Sequence, residues 1–206
     1  MAFLQNSSTW PNIFSCQFLK SSSSCSDFPK LKLPEFAFLG RSNAGKSSLI
    51  NFLCQDSSLA KVSSKPGSTN LINHYLINQS FYFIDFPGYG FASRSKLSRS
   101  RWGETMEQFL LTSQHLRLVF LLLDISIPPQ SVDLNFLSWL NVKQVPTAIV
   151  LTKLDKLKKT QRQKQIELFA QALSSVTKPG QKVFQVSVLD KLGRDSLWQE
   201  IFNQLK

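Results

Sequence analysis

A short apolar run, Phe36-Ala37-Phe38-Leu39, passes straight into Gly40-Arg41-Ser42-Asn43-Ala44-Gly45-Lys46-Ser47 and from there into the helical run Ser48–Cys54. The octapeptide fits G-x-x-x-x-G-K-S/T, and its place between a strand and a helix is the setting that pattern requires. The glycines let the backbone curl so that amide hydrogens surround an anion, and the helix that follows points its positive end at the same charge. A polyphosphate is the ligand this arrangement suits. Lys46 is placed to reach the β and γ phosphates, and the Ser47 hydroxyl to ligate magnesium. A strand feeding a helix that packs back on the sheet is also the repeating unit of α/β folds, so this turn narrows the architecture as well as the chemistry.

The rest of the chain keeps to that plan. From Glu35 onward, short apolar runs alternate with helical periodicity, the signature of a largely parallel sheet covered by helices. Candidate strands are Glu35–Leu39, Leu71–Ile77, Phe81–Asp85, Leu116–Asp124, Pro146–Thr152 and Lys182–Ser187, with helices between them. The short polar turn Asn78–Ser80 makes Leu71–Ile77 and Phe81–Asp85 an antiparallel hairpin at one edge. Ile166, Phe169, Ala170 and Leu173 recur at helical spacing, as do Leu197, Trp198, Ile201 and Leu205, and these stripes are core. The expectation is an α/β fold: a six-stranded, mostly parallel sheet with one antiparallel edge strand and helices on both faces.

With 206 residues and 42% apolar content the chain has material for one core. Residues 1–30, with the serine run Ser21–Ser24 and no long periodic pattern, are set aside as a tail or peripheral strand, and 31–206 as a single nucleotide-binding domain. Even the apolar run Leu116–Leu123 contains Arg117 and falls far short of a membrane span, so no stable membrane insertion is expected. Cys16, Cys25 and Cys54 are odd in number and lack metal-ligand spacing, which argues against a disulfide framework and for a reducing, cytoplasmic setting. A formal charge of +11 points to a polyanionic partner, nucleic acid first; the plain alternative is that lysines solubilise the surface. His74 and His115 have no metal partner in the sequence and are read as structural.

Three further elements carry chemistry. The strand Phe81–Ile84 ends at Asp85-Phe86-Pro87-Gly88, a D-x-x-G element in which Asp85 would hold the hydration shell of magnesium and the Gly88 amide would sense a γ phosphate. Upstream, Lys65-Pro66-Gly67-Ser68-Thr69 lies in a long polar loop, where Thr69 is the candidate to offer its hydroxyl to the metal and Ser63, Ser64 and Ser68 are rivals. Gly67, Ser68, Thr69, Asn70 and Leu71 are all assigned to the nucleotide site. The strand Thr147–Leu151 finishes in Thr152-Lys153-Leu154-Asp155, a form of N/T-K-x-D. An Asp155 carboxylate can accept from the N1 and N2 hydrogens of guanine. Adenine lacks that donor pair, and a buried acceptor left unsatisfied costs roughly 1–3 kcal/mol, more when charged. Lys153 would lay its stem over the base. Val186-Ser187-Val188 follows the last strand in the place of a final base loop, where a backbone amide meets the guanine O6.

Taken in order, these elements resemble the TRAFAC-class translation-factor-like GTPases and specifically the EngB (YihA/YsxC) family of ribosome-biogenesis GTP-binding proteins. The likeness runs from about residue 30 to 205 and rests on Gly40-Arg41-Ser42-Asn43, on Gly45-Lys46-Ser47-Ser48-Leu49-Ile50-Asn51, and on Pro66-Gly67-x-Thr69. It continues through Asp85-x-Pro87-Gly88-Tyr89-Gly90, Trp102-Gly103, a strand ending at Asp124 followed by Asp133 and Trp139-Leu140, and Thr152-Lys153-x-Asp155. Asn70 and Val188 depart from the family pattern, which has glutamine and serine there. The resemblance implies a single Ras-like domain that binds GTP, GDP and Mg2+, and a monomer is expected. It also implies association with the large ribosomal subunit, its rRNA and proteins, and a need for the protein in growth, division and septation. Arg94, Lys96, Arg99 and Arg101, just after Gly88, would couple nucleotide state to a phosphate backbone.

Phosphoryl transfer to water needs a placed nucleophile and charge stabilisation. Tyr89 stands where a water-orienting glutamine is usual, so slow intrinsic hydrolysis is expected. Lys46, Thr69 and Gly88 form the catalytic set, and the missing group comes from the ribosomal partner or a cation. Asn43 resembles the potassium-binding asparagine of related GTPases, which makes K+ the candidate cation. Two readings compete: a P-loop kinase using ATP, against which the base-reading Asp155 speaks, and a non-catalytic RNA-binding assembly protein with nucleotide as a structural ligand. A tRNA-modification GTPase is not expected, for want of room for an added helical domain.

Overall fold

The computed structural model describes residues 15–62, 71–89 and 96–206, with side chains considered from residue 103 onward in the last segment. Strands β1 (Cys16–Ser22), β2 (Glu35–Gly40), β3 (Ile72–Ile77), β4 (Phe81–Asp85), β5 (Leu116–Asp124), β6 (Thr147–Thr152) and β7 (Val183–Gln185) form one sheet in the order β1-β3-β4-β2-β5-β6-β7. Helices α1 (Lys46–Cys54), α2 (Lys96–Thr112), α3 (Ser131–Val142), α4 (Lys159–Ser174) and α5 (Arg194–Leu205) pack on it. Pairing is parallel from β4 through β2, β5 and β6 to β7, while β3 runs antiparallel to both β4 and β1.

The central strands are near-continuous apolar runs because both of their faces are covered. Alternate residues go to opposite sides. Phe36, Phe38, Phe120 and Leu122 join a cluster with Leu49, Ile50 and Leu53 of α1 and Leu197, Trp198 and Ile201 of α5. Ala37, Leu39, Val119, Leu121 and Leu123 join the other, with Phe109 of α2, Leu137 and Leu140 of α3, and Phe169 and Leu173 of α4. Helices therefore leave the sheet toward one face after β2 and toward the other after β4, β5 and β6. The crevice outside the carboxyl end of a strand where connections diverge in this way is the usual ligand position of an open α/β sheet.

Two details correct the expected layout. The sheet has seven strands, not six, and the hairpin of β3 and β4 is not at its edge, because β1 covers β3. That outer strand comes from the segment set aside as tail or peripheral strand. Its residues do not alternate: Phe18 and Leu19 are both exposed, and the register slips between Phe18 and Lys20. Pairing with β3, the Ser21–Asn73 hydrogen bond of 2.7 Å and the Ser22 hydroxyl on the Asp27 carbonyl at 2.8 Å hold it in place. Its position is thus set chiefly by β3, distant in sequence, which local pattern does not report. The final strand is also shorter than expected, Val183–Gln185.

Candidate functional site

At the carboxyl end of β2 the chain turns through residues 41–45 into α1, which begins without a side-chain cap. Its first-turn amides have no helical partner and are left for an anion lying in the turn. Lys46 folds back over the loop, its Nζ donating to the Gly40 carbonyl at 3.5 Å and the Arg41 carbonyl at 3.3 Å. Asn43 holds a left-handed φ of 65°, which asparagine tolerates better than most residues.

β4 runs parallel to β2 and delivers Asp85 beside the start of α1. The Ser47 hydroxyl donates to Asp85 Oδ2 at 3.0 Å. Burial pushes the Asp85 carboxyl up, while the Lys46 charge and the Ser47 hydrogen bond pull it down. Its Oδ1 is buried without a hydrogen-bond partner, a costly state for a carboxylate that a cation would relieve. A hydroxyl and a buried carboxylate are hard oxygen donors, which Mg2+ takes, so the residues present fit that ion. Gly88 lies so close to the phosphate loop that a β-carbon there would sit 2.4 Å from the Ser42 nitrogen.

β6 supplies the opposite end of the site. The Thr152 hydroxyl donates to the Ala44 carbonyl at 2.7 Å and lies 3.2 Å from that of Leu123, tying β6 to the phosphate loop. Lys153 takes a left-handed φ of 65°, and its ammonium pairs with Asp124 at 2.6 Å. Burial alone would raise the Asp124 carboxyl, but hydrogen bonds from Lys153 and Ser126 hold it below the ordinary carboxylate range. The Ser187 hydroxyl donates to Asp155 Oδ1 at 2.9 Å and accepts from the Asp190 amide at 3.0 Å. The Asp155 carboxylate is thereby oriented by the loop after β7.

A family model described as 50S ribosome-binding GTPase matches residues 35–153. The probable GTP-binding protein EngB of Desulforapulum autotrophicum is 43% identical over 189 residues, covering 92% of this chain and 96% of that protein. A GTP-binding protein of Arabidopsis thaliana is 43% identical over 184 residues, covering 88% of this chain and 61% of the plant protein. The chain belongs to the EngB family of GTP-binding proteins. The crystal structure of a probable GTP-binding protein engB matches this EngB-family fold with a TM-score of 0.65 at 24% identity, over 82% of this chain and 97% of that one. Era in complex with MgGDPNP and nucleotides of 16S ribosomal RNA matches with a TM-score of 0.62 at 20% identity, over 84% of this chain and 57% of that one. At those identities the two structures speak to the fold alone, a Ras-like P-loop GTPase fold.

Of the site residues the EngB motifs select, Gly40–Ser47, Asp85–Gly88, Thr152–Asp155 and Val186–Val188 lie at the same end of the sheet. Gly67, Ser68, Thr69 and Asn70 lie outside the described residues, as does Arg94, and Leu71 is exposed just before β3. The side chains of Phe86 and Leu154 belong to the core, so only their backbone can face a nucleotide. The motif reading missed the connecting hydrogen bonds. Thr152, a departure from the commoner asparagine, is the tie to Ala44; Asp124 holds Lys153; and Ser187 holds Asp155 through its side chain. Acidic and hydroxyl residues at the carboxyl ends of parallel strands were the available signal.

It also missed what Tyr89 does. The Tyr89 hydroxyl donates to Asp133 of α3 at 2.9 Å, and its ring packs on Phe136 at a centroid distance of 4.7 Å. Its backbone bridges to the phosphate loop, the Tyr89 amide donating to the Gly40 carbonyl and the Ser42 amide to the Tyr89 carbonyl, both at 3.3 Å. Burial and the Asp133 charge push the phenol well above its usual pKa, and burial pushes the Asp133 carboxyl up despite the Tyr89 hydrogen bond and the Arg41 charge.

Proposed function

We propose that this protein binds GTP and GDP with Mg2+, hydrolyses GTP slowly, and acts as a cytoplasmic, monomeric switch in assembly of the large ribosomal subunit, with normal division and septation depending on it. One observation carries the nucleotide reading. The Ser187–Asp155 and Thr152–Ala44 hydrogen bonds join a base-reading carboxylate to a phosphate-gripping loop in one rigid frame, with a spacing set by the parallel pairing of β2, β5 and β6.

In this reading the amides of Gly40–Ser47 and the Lys46 ammonium hold the phosphates, Asp155 accepts from the base, and Lys153 covers it. Ser47 would ligate Mg2+ and Asp85 would hold its hydration shell, with Thr69 adding its hydroxyl; the bound ion would supply charge neutralisation at the phosphate oxygens. The Gly88 amide senses the γ phosphate. The Tyr89 phenol is engaged with Asp133, which supports the reading of a low intrinsic rate. Activation then falls to a ribosomal group or to K+ at Asn43. The ribosomal role is supported by the matching family, described as 50S ribosome-binding, and by the basic start of α2 at Lys96, Arg99 and Arg101. Among the described residues, no helix is long and apolar enough to cross a membrane.

The test is multiple-turnover phosphate release in K+, Na+ and choline salts, with and without large subunits, against Lys46→Ala. Stimulation by subunits, lost in Lys46→Ala, is the expected result. Indistinguishable rates in the three salts remove the K+ role. Tight GTP binding without stimulated turnover favours the second reading, a nucleotide-stabilised RNA-binding assembly protein, which the engaged Tyr89 phenol also suits.

A further inference from the structure

The positive charge of this chain is not spread evenly. Residues 153–164 hold six basic residues, Lys153, Lys156, Lys158, Lys159, Arg162 and Lys164, against the single acid Asp155, close to half of the formal net charge of +11. They occupy the turn after β6 and the first turns of α4. Two of the six have acidic partners: Lys153 pairs with Asp124, and Arg162 pairs with Asp190 at 2.8 Å. Lys156, Lys158, Lys159 and Lys164 are exposed, and no ion pair to them is found among the described residues.

The placement of this charge opposes the helix it sits on. A helix N-terminus carries the positive end of the macrodipole, where cations are unfavourable and acids favourable. Helices α3 and α5 follow that preference, with Asp133 and Asp195 in their first turns. Helix α4 has no acid in its first turn, and Lys158 stands at its N-cap without a side-chain cap bond. Folding alone gives no reason for this arrangement. An external anion supplies one, because it would relieve the mutual repulsion of the lysines and satisfy the orphan amides together.

We propose that the segment carrying the exposed Lys156, Lys158, Lys159 and Lys164 docks on the phosphate backbone of a structured RNA. The proposal rests on the ribosomal reading above and names the surface that serves it. Charge complementarity selects the partner. A membrane-bound amphipathic helix needs exposed apolar side chains to enter the lipid, and no large apolar residue is exposed between Lys156 and Gln165. A stable protein interface needs an apolar core for the same reason. A phosphate backbone needs neither, and the intervening Thr160, Gln161 and Gln163 are exposed hydrogen-bonding groups suited to phosphate and sugar oxygens.

The experiment compares the full chain with two variants of equal charge loss. In one, Lys156, Lys158, Lys159 and Lys164 are each changed to Gln. In the other, Lys30, Lys32, Lys143 and Lys178, exposed elsewhere, are changed in the same way. Binding of GTP-loaded protein to purified large ribosomal subunits, and to a large-subunit RNA fragment alone, is measured from low to moderate salt. The α4 variant is expected to lose affinity by on the order of tenfold or more near 0.1 M salt and to show a salt dependence shallower by about two to three log units per log unit, while the control variant stays near wild type. Fluorescent GTP affinity should be unchanged in both. Equal losses in the two variants, or none in either, overturn the proposed surface while leaving the ribosomal role standing. Failure of the wild type to bind subunits and RNA overturns the ribosomal reading and this one with it. A selective loss of binding to anionic phospholipid vesicles, with RNA binding intact, overturns RNA as the partner.

Discussion

His74 gives the described core a pH dependence that can be calculated in advance. It lies in β3 with no exposed surface, its ring edge-on to Phe28 at 4.5 Å, and neither ring nitrogen has a hydrogen-bond partner. Burial, helped by the nearby Lys20 charge and opposed by Asp27, brings its pKa down from 6.5 to about 4. The folded state therefore holds the imidazole neutral where the unfolded chain protonates it. The resulting stability is fully present above pH 6.5 and is lost as pH falls toward 4. A shift of this size corresponds to about 3 kcal/mol at most, and about 2 kcal/mol of it is gone by pH 5. Urea unfolding of nucleotide-free protein at pH 7.5 and 5.0, compared with His74→Leu, isolates this contribution, because packing losses in the variant cancel between the two pH values. The wild type should lose about 2 kcal/mol more than the variant on acidification. Equal losses in both proteins would refute the buried, neutral imidazole.

Four further substitutions probe the site and its supports. Tyr89→Phe leaves the Asp133 carboxylate without its 2.9 Å donor and should lower stability by about 1–3 kcal/mol. Adding Asp133→Leu should cost much less than it does in the wild-type background, and additive losses in thermal melts would contradict the coupling. Thr152→Val keeps the side-chain shape but removes the hydroxyl from Ala44 and Leu123, and calorimetry should show GDP affinity down roughly tenfold. Gly193→Ala places a β-carbon 2.2 Å from the Gln185 carbonyl oxygen at a φ of 85°, so a loss of about 2 kcal/mol or more is expected from unfolding curves, and an unchanged midpoint would contradict the close approach.

What could be read from sequence was what local chemistry encodes. The phosphate loop, Asp85 and Asp155 announce themselves because their chemistry requires fixed residue types at fixed spacing beside apolar strands. β5 matched its expected span Leu116–Asp124, and β4 its span Phe81–Asp85, because short apolar runs that end at an aspartate and are bounded by turn residues read as strands covered on both faces. For β1 the sequence left tail and peripheral strand both open, since its hold on the sheet comes from β3 and from the turn near Asp27. The ties between motifs were hidden for the same reason. Thr152 to Ala44, Ser187 to Asp155 and Tyr89 to Asp133 join residues far apart in the chain, and each becomes visible only once the parallel pairing brings the strand ends together.

The most direct test of the account is competition between guanosine, xanthosine and adenosine triphosphates for the wild type and for Asp155→Asn. Asparagine at this position presents an amide donor where the carboxylate accepted, so it suits the xanthine oxygen and not the guanine amine. The wild type should favour GTP over both rivals, and Asp155→Asn should favour XTP over GTP, a change of preference of about a hundredfold or more. Retained guanosine preference in Asp155→Asn, or a wild type that favours ATP, would contradict the base-reading pocket on which the assignment rests.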